Sequence, residues 1–179
     1  MSVASFITAW HGTACRHIPD GSPFGVLDLR FAGRAINNRW NRPGEPTHYL
    51  ASDHAVLVAE FTRHLQSDGG MAAARVAQAR RVYDLRCELD RVLDLRDARV
   101  RTAFALPDAP ACFLDREIAR STAAFLRRVA GVQAILVPSM AFLDAPTRWV
   151  LVLFLETLDR GLDRVVRSVE RNGLLRFDP

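Results

Sequence analysis

The chain has 179 residues, 49% hydrophobic and 25% charged, with a formal net charge of +4 and an isoelectric point near 9.6. That size predicts one domain, residues 1–179, able to bury its own core, and the ordinary composition excludes a disordered or low-complexity chain. The longest apolar run, residues 149–155, is too short to cross a bilayer, and no secretory leader pattern is expected at the start.

In chain order, residues 3–10 read as a first strand that ends at His11-Gly12-Thr13, and a loop rich in Pro, Gly and Asp follows over 16–25. Residues 28–46 carry Arg30, Arg34, Arg39 and Arg42 among Asn37, Asn38, Asn41 and Gly44. This polar, aperiodic stretch predicts a long loop, which in a compact domain goes with function or disorder. Residues 47–51 form a short strand. Ser52 or Asp53 then caps a helix to about residue 65, with Val56, Leu57, Phe61 and Leu65 on its apolar face. Residues 71–79 form a helical patch, 81–86 and 92–95 two strands, and 97–104 a short helix closed by a loop at 107–110. The clearest amphipathic helix spans 115–129 and stops at Gly131. A strand at 133–137 is broken by Pro138-Ser139, a buried strand follows at 148–155, then a final helix at 161–171 and an edge strand at 174–177. Short strands mixed with helices give an α+β domain with small mixed or antiparallel sheets and flanking helices.

Three cysteines, Cys15, Cys87 and Cys112, fit no metal-ligand spacing, so a reduced, cytoplasmic setting and no bound metal are expected. All 24 basic residues are arginine, whose planar fork suits phosphate better than a lysine point charge. Arg39, Tyr49 and Glu60 recur at near-regular spacing, placed on a loop, a strand and a helix. Together they can surround a small anionic ligand. Arg39 sits in a turn-forming N-N-R-W-N-R-P-G and can grip a pyrophosphate or a carboxylate; the alternative is a surface arginine. Trp40 is a packing anchor or a ligand platform. Tyr49 shares a strand face with Thr47 and Ala51 and can stack on a planar ring, or is a sheet tyrosine. Glu60 lies at the margin of its helix's apolar stripe, beside Arg63 and His64, so it is ion-paired or used. His11 ends the first strand, Gly12 admits a ligand to the backbone, and Thr13 adds a hydroxyl. Ser139 leaves a strand just after Pro138. There is no G-x-G-x-x-G, no phosphate-binding G-x-x-x-x-G-K, no H-E-x-x-H and no G-x-S-x-G.

R-W-N-R-P-G, then Y-L-A-S, then a glutamate, then a late V-P-S resemble the RES domain, named for arginine, glutamate and serine, here Arg39, Glu60 and Ser139. The resemblance covers about residues 5–155. It implies an ADP-ribosyltransferase-like fold and a bacterial, cytoplasmic toxin that consumes NAD by hydrolysis, phosphorolysis or ADP-ribosyl transfer. The expected partner is an Xre-type helix-turn-helix antitoxin, through which alone the protein would meet nucleic acid. W-H-G-T resembles the H-G-T of His-Tyr-Glu transferases. That likeness implies His11, Gly12, Thr13, Arg39, Trp40 and Tyr49 on NAD, with Arg39, Tyr49, Glu60 and Ser139 catalytic. Two departures leave the acceptor open among water, phosphate and protein. An asparagine-rich segment after the serine strand is missing, and His11 stands where relatives carry arginine or tyrosine. The competing readings are an arginine-rich nucleic-acid-binding module and a degenerate member that binds NAD without turnover.

Overall fold

The two longest strands hold the sheet together, and the sequence reading had shortened one and divided the other. The computed structural model describes residues 3–67, 78–106, 108–129, 131–159 and 161–176. Strand β1 (Ile7–Pro19) pairs antiparallel with β3 (Arg80–Asp94), from Ile7 opposite Leu93 to Pro19 opposite Arg80. The remaining strands are β2 (Thr47–Ala51), β4 (Ala134–Pro138), β5 (Trp149–Phe154) and β6 (Val166–Leu175). Their order is β1-β2-β5-β4-β3-β6. Because β1 also pairs with β3, five of the six strands form a closed circuit, with β6 added along β3. Only β3 and β4 are parallel; every other pair is antiparallel. Helices α1 (His54–Ser67), α2 (Ala98–Ala103) and α3 (Arg116–Arg128) flank the sheet.

The circuit follows from apolar runs that have to be covered on both faces. β4 is buried throughout, and so are the last four residues of β5. Side chains alternate along a strand, so each strand feeds two cores. Leu136, Leu151 and Leu153 join Leu50 and Leu85 on one side. Ile135, Val137, Val152 and Phe154 join Phe113, Ala123 and Leu126 on the other. The small residues Ala119 and Ala123 let α3 lie close to that second face. Asp115 caps α3 by accepting the N–H groups of Glu117 (2.7 Å) and Ile118 (3.3 Å), and Asp53 accepts the Val56 N–H at 2.9 Å in the first turn of α1.

The strand at 47–51, both helix starts and the buried strand near 148–155 fall where the sequence puts them. Three readings change. A short 3-10 turn at Val3–Phe6 precedes β1, and the strand runs on to Pro19, so His11-Gly12-Thr13 is mid-strand. Gly12 reads as a stop, yet its missing side chain makes room for the Trp10 ring; a Cβ there would stand 2.9 Å from it. The two predicted strands near 81–95 are one, held in register by β1 through the charged stretch that broke the apolar pattern. The predicted final helix at 161–171 is a turn at Leu162–Arg164 followed by β6. Arginines spaced as on a helix face there serve as solvent-facing residues of an edge strand, tied to β3 by Arg167–Glu88 at 2.7 Å. The helical patch predicted at 71–79 falls mostly outside the described residues. No described helix is long and apolar enough to cross a membrane.

Phe113 is fully buried and meets the Trp40 ring edge-on at 4.9 Å. Phe113→Ala is expected to lower unfolding free energy by roughly 3–5 kcal/mol, measured by urea denaturation, because the cavity lies between α3 and the sheet.

Candidate active site

The loop that carries Arg39 has no regular structure, and α3 satisfies its backbone. Arg120 donates to Asn38 O through Nε (3.0 Å) and Nη2 (2.7 Å), and to Ile36 O through Nη2 (2.7 Å). Arg42 pairs with Glu117 and reaches Ser121 at 3.3 Å. Arg127 donates to Thr47, pairs with Glu156 and stacks over Phe154 at 4.3 Å. The loop also closes on itself, where the Gly44 N–H donates to Gly33 O at 3.0 Å. Gly33 sits at φ 76° with the Glu45 carbonyl where a Cβ would be, 2.7 Å away.

Within this frame Arg39 donates from Nη1 to the carbonyls of Phe113 (2.6 Å) and Leu114 (2.7 Å), just ahead of α3. The buried Trp40 anchors the loop in the second core. The Tyr49 hydroxyl donates to Asn41 Oδ1 at 2.6 Å and accepts the Trp40 N–H at 3.2 Å. Burial pushes that phenol far up, so it stays protonated.

These residues border a cleft of about 740 Å³ between the loop, α1 and the ends of β1, β2 and β3. On one side Ser139, fully buried, donates its Oγ–H to Glu60 Oε1 at 2.6 Å, and the Ala141 N–H adds a 3.3 Å bond to the same oxygen. Arg39, Arg63 and Arg116 line the cleft with Glu60. Burial lowers the Arg39 pKa, Arg63 and Arg116 lower it further, and Glu60 opposes them.

The other side carries the cations Arg16 and Arg80. Arg16 donates from Nη1 to Tyr49 O at 3.2 Å, while its buried Nε has no hydrogen-bond partner among the described residues. Burial, then repulsion from Arg80, brings its pKa to about 10. Arg80 donates its Nε–H to His17 Nδ1 at 2.6 Å. Burial, then Arg80 and Arg16, hold His17 at about 3, so its ring is neutral. His48 is buried with Nε2 unpartnered, and burial followed by Arg16 pushes it well below the usual histidine range.

Of the residues singled out from the sequence, Arg39, Trp40, Tyr49 and Glu60 line this cleft, and Ser139 stands behind Glu60. His11, Gly12 and Thr13 do not line it. They pair with Glu88, Cys87 and Arg86 in mid-sheet, with the His11 and Thr13 side chains exposed. β1 contributes Arg16 and His17 instead, and β2 and β3 add His48 and Arg80. Sequence reasoning missed these because it ended β1 at the glycine; the buried pair Ala14-Cys15 beyond it was the available signal. Among the described residues no group of three or more His, Cys, Asp or Glu is placed to hold a metal ion.

A family model for the RES domain matches residues 14–176. The chain belongs to the RES domain family. A chain of the crystal structure of the M. tuberculosis MbcT–MbcA toxin–antitoxin complex shares the fold, with a TM-score of 0.60 over 93% of this chain and 86% of that one. Identity is 21%, so the likeness is one of fold. None of the curated proteins matches. In this RES domain the three residues that carried the sequence resemblance, Arg39, Glu60 and Ser139, lie in or directly behind one cleft.

The neutral histidines give a pH dependence of fixed sign. The unfolded chain protonates a histidine near 6.5, whereas folded His17 resists until about 3. Its contribution is therefore complete above pH 6.5 and is lost as pH falls toward 3, at up to about 1.4 kcal/mol per pH unit. His48 adds in the same direction. His17→Gln is expected to reduce the acid-side slope of unfolding free energy against pH by close to one proton, measured by urea titrations between pH 6.5 and 4.

Proposed function

We propose that this RES domain is the toxin of a bacterial toxin–antitoxin pair and consumes NAD by breaking its nicotinamide–ribose bond in the cleft. The observation that carries the reading is a carboxylate, Glu60, fixed by Ser139 and sharing the cleft with a border of arginines. Such a site suits a ligand with a pyrophosphate at one end and a centre that becomes cationic at the other.

The C1′–N bond breaks with its electron pair passing to the pyridinium nitrogen, so nicotinamide leaves neutral and the ribose becomes an oxocarbenium ion. Glu60 stabilises that ion. Ser139 and the Ala141 N–H both bond Oε1, holding the carboxylate and leaving Oε2 for a ribose hydroxyl. Arg39, anchored through Nη1, presents its remaining N–H groups to the pyrophosphate, and Arg16 supplies a second cation whose Nε awaits an acceptor. Tyr49 acts through its ring, packed against nicotinamide, because its hydroxyl is engaged and stays protonated. Water, phosphate or a protein side chain then takes the ribosyl cation; with water the products are ADP-ribose, nicotinamide and one proton.

The toxin–antitoxin complex among the structural neighbours supports a protein antitoxin as partner; its Xre type, with nucleic acid reached only through it, is what the family resemblance implies. The arginine loop gives little support to direct nucleic-acid binding, since Arg30, Arg39 and Arg42 are engaged within the protein.

Incubating the protein with NAD, with and without phosphate, and identifying the products tests the reading; absence of free nicotinamide in both would overturn it. Glu60→Gln is expected to fold normally and lose roughly 10²–10³ in rate. Ser139→Ala, which removes one charge-assisted hydrogen bond, should lose roughly 10- to 100-fold.

A further inference from the structure

Away from Glu60, the cleft is bordered by two aromatic rings for which the chemistry above has no use. Phe24 and Phe31 both line it and meet edge-to-face with centroids 5.6 Å apart. Arg30 lies over the Phe24 ring at 4.0 Å and is fixed there by Asp28 through Nε at 2.9 and 3.0 Å. Arg34 lies 5.4 Å from the centre of the Phe31 ring. Phe24 is half-buried, but Phe31 is 55% exposed. The neighbouring loop is not loose, since Arg120 holds Ile36 O and Gly33 is closed against the Glu45 carbonyl. The Phe31 ring is therefore presented from a braced loop.

An exposed ring bordered by guanidinium groups and continuous with an arginine-lined cleft matches a nucleotide. The base supplies a π-face for the ring, and the attached phosphates supply charge for the arginines. A purely apolar partner would gain nothing from Arg34 or the arginines of the cleft, and a phosphate alone would gain nothing from Phe31.

We infer that Phe31 is the platform on which the adenine of a purine nucleotide stacks, with Phe24 supporting it edge-on and Arg34 over the ring face opposite the base. The inference rests on the reading of the cleft as a dinucleotide site and assigns that site's adenine end. It makes Phe31 a specificity-determining residue: it favours substrates that carry adenine and has no contact with the nicotinamide half.

ADP binding by titration calorimetry tests the platform without any turnover. Phe31→Ala is expected to weaken ADP roughly 10- to 100-fold, the loss of one stacked base, while Phe31→Tyr keeps the parent affinity. Circular dichroism verifies that both variants are folded. With turnover, the parent's preference for NAD over nicotinamide mononucleotide, which lacks adenine, is expected to shrink by the same factor in Phe31→Ala. Unchanged ADP affinity in Phe31→Ala overturns the platform and assigns the exposed ring to a protein contact instead. A platform confirmed by ADP, with no nicotinamide released from either substrate, leaves this inference standing and removes the proposed reaction.

Discussion

The structure depends on a constraint on any segment that lacks a ladder: each backbone carbonyl that leaves water needs a donor. Residues 36–46 lie outside every helix and strand; bonds within the loop satisfy part of their backbone, and α3 provides further donors. Arg120 takes the carbonyls of Ile36 and Asn38, while side chains add further ties: Arg127 donates to the Thr47 hydroxyl, and Arg42 crosses back to Glu117. Arg39 reciprocates by binding the carbonyls of Phe113 and Leu114 just ahead of the same helix. The segment is long and aperiodic, yet side-chain bonds to and from the α3 region tie it down at residues 36, 38, 39 and 42. Trp40 and the Tyr49 hydroxyl complete the attachment from the core side.

That rigidity sets the electrostatics of the cleft. Guanidinium groups brought together and partly removed from water repel one another and lose hydration, which is why Arg39 and Arg16 both have lowered pKa values. A flexible loop would relieve the repulsion by moving an arginine into solvent. Here the backbone cannot follow, so the charge is retained and the unpartnered Nε of Arg16 stays buried. A site strained in this way gains from an anion. Glu60 is held apart from this by Ser139, so one carboxylate persists among the cations without being neutralised in a direct ion pair among the described residues. The site thus keeps opposite charges separate.

Particular residues show what could be read from sequence. Asp115 and the spacing of Ala119, Ala123 and Leu126 announce α3, because capping and a helical apolar stripe are local properties. Thr47–Ala51 and Trp149–Phe154 announce themselves by apolar runs. Gly12 misled because local reasoning treats glycine as a turn, whereas here it accommodates a tryptophan ring from its own strand. Residues 161–171 read as a helix locally, while the free edge of β3, distant in the chain, offers hydrogen bonds that local propensity does not count. Arg16, His17, His48 and Arg80 went unseen as a group for a related reason: they come from three strands, and nothing in their local sequence links them.

By itself the sequence determined the α+β class, the helix starts, the apolar strands and the family motif of Arg39, Glu60 and Ser139, all written in short-range patterns of polarity and capping. Only the tertiary structure decided which cations share the cleft, that Ser139 bonds Glu60, and that His11 lies outside. Those outcomes depend on strand register. Carrying β1 through Gly12 to Pro19 places Arg16 and His17, rather than His11 and Thr13, where β1, β2 and β3 converge.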